Sequence, residues 1–188
     1  SNPYFGIRRA PYSTDFSVNP LTFKDIQEGQ ALPTSAPLAY GQDGEGNSEI
    51  HSAGEIWANT LWEFYASLLN DSRYSFDQAR ERMQDYLIGG LKLTPLDPTF
   101  LEARDAILAV VAATDERDWE LAAKAFAKRG MGIGAQGPAR YSEDLSGVVE
   151  SFEADAGYFE LAETKLDTGF DDGKQGYCSN DGILDAGE

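Results

Sequence analysis

The sequence of 188 residues is poorest in cysteine and histidine, with one residue of each type, Cys178 and His51. A single cysteine excludes a disulfide within the chain and any zinc site built from cysteines. A single histidine excludes a metal centre that needs two imidazoles from this chain. No Ser–His–Asp spacing, phosphate-binding loop or dinucleotide fingerprint is present. Histidine chemistry in this chain therefore centres on His51.

Basic residues are also scarce, because 15 Lys and Arg stand against 32 Asp and Glu and give a net charge of −17. Nucleic acids and anionic membranes both bind basic surfaces, so neither is expected as a partner. No apolar run reaches the roughly 18 to 20 residues that span a bilayer. The N-terminus lacks the charged-then-apolar pattern of a signal peptide. We expect a soluble chain whose export signal, if it has one, lies outside this sequence.

The negative charge is unevenly distributed along the chain. From Arg140 to Glu188 there are 13 acidic and 3 basic residues, a net charge of −10. This change in composition sets the acidic tail apart from the rest of the chain, for which we predict a helical domain over residues 1–136. Residues 137–188 are predicted to form an acidic, Gly- and Asp-rich extension that links to a downstream domain.

The N-terminal part of the domain, residues 2–47, is rich in Pro, Gly, Ser, Thr and Asn and has no sustained period. It predicts an irregular segment with short turns. Its apolar residues need burial against the rest of the domain, and they are Tyr4, Phe5, Ile7, Tyr12, Phe16, Leu21 and Phe23. A second irregular or extended stretch is predicted for residues 146–159.

Apolar residues at helical spacing predict four helices between these segments, so the fold class is mainly α. The first is predicted at about residues 52–69, with Ser52 as its N-cap. The second opens at Ser75, also as N-cap, and weakens at Gly89 and Gly90.

The third and fourth helices have the clearest boundary signals. Asp97 is the predicted N-cap of the third helix, with Pro98 at its first position. The fourth runs over about residues 117–129 and ends at Gly130.

His51 lies immediately before the first predicted helix. For an isolated histidine the simplest role is a surface or capping residue. The residues after it, His51-Ser-Ala-Gly-Glu-Ile-Trp-Ala-Asn-Thr-Leu, resemble the His-x-x-Gly-x-x-Trp-Ala-x-x-Leu segment of fungalysin-type metallopeptidases. One such segment alone is weak evidence.

Further blocks of the same family occur in the same order. They are Gly6-Ile7-Arg8, Pro11-Tyr12-Ser13-Thr14-Asp15, Asn19-Pro20-Leu21-Thr22-Phe23, Pro98-Thr99-Phe100 with Ala103-Arg104-Asp105-Ala106-Ile107-Leu108, and Phe126-Ala127-Lys128-Arg129-Gly130-Met131-Gly132. The resemblance covers about residues 5–136. It implies the C-terminal helical subdomain of a thermolysin-like catalytic domain, with about four helices and long irregular N- and C-terminal segments.

The resemblance also implies roles for individual residues. His51 matches the histidine that donates a hydrogen bond to the oxyanion formed during peptide hydrolysis. Arg8 matches an arginine that binds a substrate carbonyl, although a structural salt bridge is an equally simple role for it. Glu49 is the nearest carboxylate that could orient His51, and Glu45 is the next. Glu55 is interpreted as an acid at a helix start, stabilised by the helix dipole.

The family's zinc ligands are not in this chain. The resemblance implies an HExxH helix and a later glutamate upstream, and this sequence contains no HExxH motif. With one histidine it supplies no zinc ligands, so it is expected to be inactive alone. Zinc would be bound by an upstream half of the peptidase domain, which is the expected partner together with a peptide substrate.

The acidic tail offers a second type of metal site. Asp181, Asp185 and Glu188 match the second half of an EF-hand loop, whereas Tyr177 and Ser179 occupy the positions of its first acidic ligands. A calcium site at these three acids is therefore one interpretation. An acidic turn without metal is the more frequent role of such short motifs.

Two functions remain open at this stage. The first is part of a secreted zinc endopeptidase that contributes His51 and a substrate-binding wall. The second is a non-catalytic helical interaction module, in which the sequence blocks serve packing alone. Stabilisation of this module by calcium is left open.

Overall fold

The computed structural model describes residues 5–154. Within these residues the regular elements are four α-helices and a short 3₁₀ turn at Phe23–Ile26, with no β-strand. The helices are α1 at Ile50–Leu69, α2 at Phe76–Leu93, α3 at Phe100–Ala112 and α4 at Glu116–Lys128. This arrangement confirms the mainly α fold class. In the described part of the chain no helix is long and apolar enough to cross a membrane.

The start of α1 differs from the prediction. Glu49 is its N-cap, because its carboxylate accepts hydrogen bonds from the backbone N–H groups of His51 (2.8 Å) and Ser52 (3.3 Å). These are two of the donors that the first turn of a helix leaves without an intrahelical partner. The prediction of Ser52 as the cap is therefore wrong, and His51 belongs to the helix.

The N-cap of α3 also differs, whereas that of α2 is confirmed. Ser75 caps α2 and forms a reciprocal pair with Gln78. At α3 the cap is Thr99, which forms the same type of pair with Glu102. The predicted cap Asp97 has a φ of 49°, and a cap needs extended backbone, so Asp97 lies outside the helix.

Gly89 and Gly90 lie inside α2, which continues to Leu93. Their missing side chains allow α3 to pack closely. A Cβ atom on Gly90 would lie 2.5 Å from Cγ1 of Ile107, and one on Gly89 would lie 2.9 Å from Cγ1 of Val110. The two glycines therefore mark a helix contact and not a helix end.

The hydrophobic core lies where α1 packs against α4 and α2, while α3 closes the remaining side against α2 and α4. Trp57 of α1 packs edge-on against Phe100 and obliquely against Phe126, at centroid distances of 6.1 and 5.9 Å. The largest apolar side chains buried in the core are Leu21, Phe23, Ile26, Ile56, Phe64, Leu68, Tyr86, Val111, Phe126 and Met131.

A buried charge fixes α4 to α2 and to the turn before α2. Asp118, fully buried in the first turn of α4, accepts hydrogen bonds from the hydroxyls of Tyr86 (2.6 Å) and Tyr74 (2.9 Å). It also forms ion pairs with Arg73 and Arg82. Buried charges need such partners, because an unpaired one would strongly destabilise the fold.

The N-terminal segment up to the start of α1 is irregular, as predicted, apart from the 3₁₀ turn. Leu21 and Phe23 are buried, but Ile7 is 60% exposed. Tyr12 and Phe16 are also exposed, so the expectation of burial is wrong for these three residues within the described structure. Tyr4 lies outside the described residues.

After α4 the chain turns at Gly130, whose φ of 87° suits glycine, and later returns beside its own path. Met131 bridges Ser151 in parallel, and Gln136 bridges Val149 in antiparallel fashion. Val148 packs on the core, and Val149 is exposed. The boundary proposed after residue 136 stays a prediction.

Candidate active site

Glu49 and His51 meet in the first turn of α1. The His51 ring atom Nδ1 lies 2.8 Å from Oε1 of Glu49, while the other Glu49 oxygen caps the helix. One carboxylate therefore holds both the backbone and the ring of His51. The hydrogen bond from His51 is the main reason why the pKa of Glu49 is lower than its ordinary value. Glu49, and not Glu45, is the carboxylate that contacts the ring.

The imidazole is open to solvent, since the His51 side chain is 57% exposed. Because the ionised carboxylate of Glu49 can only accept hydrogen bonds, a ring proton is assigned to Nδ1, the atom that faces it. The ring atom Nε2 can then donate only when the ring carries a second proton.

Arg8 lies beside this pair. Its Nη1 donates to the backbone carbonyl of His51 at 2.9 Å, and its guanidinium is 6.0 Å from the ring centre of Tyr12. Among residues 5–154, no carboxylate forms an ion pair with Arg8. Within the same range its other guanidinium N–H groups have no hydrogen-bond acceptor. The structure therefore brings Arg8, Glu49 and His51 together and leaves donors of Arg8 available.

The next residue, Arg9, was not predicted as part of the site. It is 1% exposed, and its Nε donates to Glu55, its Nη1 to Oδ1 of Asn47 (2.6 Å) and its Nη2 to the Ser52 carbonyl (2.7 Å). The backbone N–H of Arg9 also donates to Glu55, at 2.9 Å. The interpretation of Glu55 as an acid at a helix start is wrong, because it lies beyond the first turn of α1 and is the buried partner of Arg9.

A comparable ion pair occurs farther along α1. Glu63 pairs with Arg129, which follows α4 directly, and with Lys128 at 2.8 Å. Arg129 is fully buried and also donates to the carbonyls of Asn19 (2.7 Å) and Ser13 (2.6 Å). This pair fastens the N-terminal segment to α1 and α4, far from His51.

The described residues do not fit a zinc ion. Between residues 5 and 154 no three His, Cys, Asp or Glu side chains converge to hold a metal. Catalytic zinc takes three protein ligands, and the only imidazole here is bound by Glu49 next to a cationic guanidinium. The calcium ligands predicted in the tail, Asp181, Asp185 and Glu188, lie outside the described residues.

A cavity of about 490 Å³ lies near the other end of α1, lined among others by Asn70, Asp71 and Lys128. The helix has 20 residues, so its two ends are about 30 Å apart. The charged groups that line the cavity are paired with one another or with neighbouring residues. We therefore place the candidate site at His51, where polar groups are both available and convergent, and not at this cavity.

Comparison with known proteins finds a family match over most of the chain. Residues 1–135 match the family model described as fungalysin metallopeptidase (M36). The extracellular metalloproteinase MEP of Neosartorya fischeri is 35% identical over 144 residues, which are 70% of this chain and 20% of that protein. The extracellular metalloproteinase 10 of Coccidioides posadasii is 33% identical over 149 residues, 72% of this chain and 21% of that protein.

A third relative, the probable extracellular metalloproteinase 2 of Arthroderma benhamiae, is 31% identical over 144 residues. The chain thus spans about a fifth of the length of these relatives. The matched region includes every ordered block that the sequence presented, together with Arg8, Glu49 and His51. The chain belongs to the fungalysin family of metallopeptidases.

Proposed function

We propose that this chain forms one wall of the peptide-binding cleft of a secreted metalloendopeptidase. His51 donates a hydrogen bond to the oxyanion that forms at the scissile carbonyl, and Arg8 binds a neighbouring substrate carbonyl. The observation that carries this proposal is the convergence of Arg8, Glu49 and His51 at the start of α1, where the imidazole is exposed to solvent and Arg8 binds the His51 carbonyl. The names of the relatives support secretion, since they are described as extracellular.

Glu49 makes His51 a better donor. The carboxylate holds the ring in one orientation through the contact at Nδ1, which lowers the entropy lost when the oxyanion forms.

Arg8 suits substrate binding for a different reason. Its guanidinium keeps its charge at all physiological pH values and has several N–H groups in a fixed plane. One of them is bound to the His51 carbonyl, so the group is anchored at the site while others remain available. A lysine would have a single nitrogen for both tasks.

The remaining chemistry of the site lies outside this chain. Zinc and the groups that activate water belong to the zinc-binding half of the peptidase domain, so the isolated chain is expected to be inactive. We define the apolar rim as the four exposed side chains around the site, which are Ile7, Tyr12, Tyr40 and Ile50. The Tyr40 hydroxyl donates to the Ile7 carbonyl at 2.8 Å, which keeps two of them together. We propose that the zinc-binding half docks on this rim.

The test is peptide hydrolysis by the full-length enzyme. His51→Ala should lower kcat/KM by about 10²- to 10³-fold, as expected for loss of an oxyanion donor. Arg8→Ala should mainly raise KM. Arg80→Ala, which removes an exposed arginine of α2 paired with Asp77, is the matched control and should have no effect. Unchanged hydrolysis in both site variants would overturn the proposal and favour the non-catalytic interaction module.

A further inference from the structure

We propose that Arg9 is a positioning residue, which fixes Arg8 and the Glu49–His51 turn relative to each other. The inference rests on the proposed function of that site. Arg9 cannot itself touch a peptide, because it is 1% exposed and its Nε, Nη1 and Nη2 atoms are all bound within the protein. Its effect on the site must therefore pass through the residues that it holds.

The guanidinium of Arg9 connects the chain before and after His51. Nη1 binds Asn47, two residues before Glu49, and Nη2 binds the carbonyl of Ser52, the residue after His51. Asn47 is in turn fixed, because its side-chain amide donates to the carbonyls of Gln27 (2.9 Å) and Gln30 (2.7 Å). The turn that carries Glu49 and His51 is thus held at both of its ends by one side chain.

The same residue sets the position of Arg8. Arg8 donates to the carbonyl of His51, and Arg9 donates to the carbonyl of Ser52. Two consecutive arginines therefore bind two consecutive carbonyls of the first turn of α1. The backbone N–H of Arg9 donates to Glu55, and this bond fixes which arginine faces which carbonyl. Displacement of Arg9 would shift Arg8 along the helix and away from the imidazole.

Arg9→Lys is the informative variant, because lysine keeps the charge but has one nitrogen in place of three separate donors. The matched control is Arg129→Lys. Arg129 is also fully buried, is paired with Glu63 of the same helix and binds several backbone carbonyls. Glu63 is 12 residues beyond His51, which is about 18 Å along the helix. Both variants disturb one buried ion pair of α1, and only Arg9→Lys touches the turn around His51.

Two measurements separate positioning from stability. The chain has a single histidine, so the NMR spectrum contains one imidazole Cε1–H signal, which reports the Glu49–His51 geometry directly. In the full-length enzyme, kcat and KM are measured for the same variants. We expect both variants to lower Tm, but only Arg9→Lys to shift the imidazole signal and to lower kcat by tenfold or more, since small displacements of catalytic groups have effects of about that size.

The proposal is overturned if Arg9→Lys leaves the imidazole signal and kcat at their wild-type values, or if Arg129→Lys changes them equally. Should Arg9→Lys fail to fold, Arg9→Met combined with Glu55→Met replaces the ion pair with apolar side chains and is expected to give the same two effects. The imidazole signal requires no hydrolysis. If Arg9→Lys shifts the imidazole signal but His51→Ala leaves hydrolysis unchanged, the proposed function fails and the positioning role of Arg9 still holds.

Discussion

Asp25 belongs to the 3₁₀ turn, and its carboxylic acid side chain is fully buried. Its Oδ2 accepts a hydrogen bond from the backbone N–H of Thr22 at 2.8 Å. No donor in the described part of the chain reaches its Oδ1. Burial raises the pKa of Asp25 to about 6, against an ordinary value of 3.8. The folded protein therefore holds a proton on Asp25 at pH values where the unfolded chain has lost it.

This difference gives a prediction for stability against pH. Between pH 3.8 and about 6 the folded state binds more protons at Asp25, so its contribution to the free energy of unfolding falls as pH rises. The total change is on the order of 2 to 3 kcal/mol. Asp25→Asn removes this pH-dependent contribution, because the amide does not titrate. The free energy of unfolding of the variant relative to wild type should therefore rise between pH 4 and pH 7. Urea unfolding across this range measures the difference.

The control for this prediction is Asp105→Asn, because Asp105 is an acid with a largely exposed side chain on α3. Its difference from wild type should vary little over the same pH range. A difference between Asp25→Asn and wild type that stays constant with pH would contradict the assignment of the titrating group.

Among the residues of the candidate site, Arg8, Glu49 and His51 were proposed from the sequence, whereas Arg9 was missed. Arg8 and His51 stand in motifs that can be matched locally, and Glu49 is the nearest carboxylate to His51. Arg9 carries the same side chain as Arg8, and the choice of which arginine is buried depends on Glu55, 46 residues away. No local pattern contains that information, since it is set by how the irregular segment lies along α1.

Among the elements, helix positions could be predicted better than helix starts. Apolar spacing gave all four helices, because burial of one face determines that spacing. Ser52 and Asp97 are residue types that often cap helices, yet neither is a cap here. The backbone conformation before each helix decides which residue caps it. That conformation depends on contacts between residues that are distant in the sequence.

The cap of α3 can be tested by a pair of substitutions. Thr99→Ala removes the side-chain oxygen that accepts from the backbone N–H of Glu102, and should lower the free energy of unfolding by about 1 kcal/mol. Asp97→Gly should leave it unchanged or raise it slightly, because φ is 49° at this position and glycine tolerates that region. If Asp97→Gly proved the more harmful in chemical denaturation, Thr99 would not be the cap.

Two helical glycines should respond in opposite ways to alanine. Gly90→Ala places a methyl group against Ile107 in the contact between α2 and α3, so the helices must separate and the free energy of unfolding should fall by about 1 to 3 kcal/mol. Gly54→Ala meets no atom within 4 Å and should raise it by about 0.5 to 1 kcal/mol through helix propensity. Thermal unfolding of the two variants provides the measurement. Equal effects would rule out close packing at Gly90.

For the whole molecule, the apolar rim predicts self-association of the isolated chain despite its net charge of −17. Ile50→Ser should weaken this association without lowering Tm, because Ile50 is 79% exposed. Leu96→Ser is the control, since Leu96 is 88% exposed in the α2–α3 connection and is not part of the rim. Sedimentation velocity measures the effect, and an equal response of the two variants would show association through apolar surface in general.

The fold class and the family of the chain could be predicted from the sequence, because blocks typical of the family occur in order over about 130 residues. The sequence did not predict the exposure of Ile7, Tyr12 and Phe16. Apolar residues are normally buried. The sequence of one chain does not distinguish burial in its own core from burial in an interface with another protein surface.

The contacts that build the site join residues far apart in the chain, whereas the helices are made of local contacts. Arg9 reaches Glu55 across 46 residues, and Arg129 reaches Ser13 across 116. Local structure forms fast, and distant pairings require prior loop closure. The N-terminal segment should therefore join the helices last during folding and detach first during local unfolding. In native-state hydrogen exchange, the backbone N–H of Arg9 should open at a lower free energy than those in the middle of α1, so the candidate site would come apart before the helices melt.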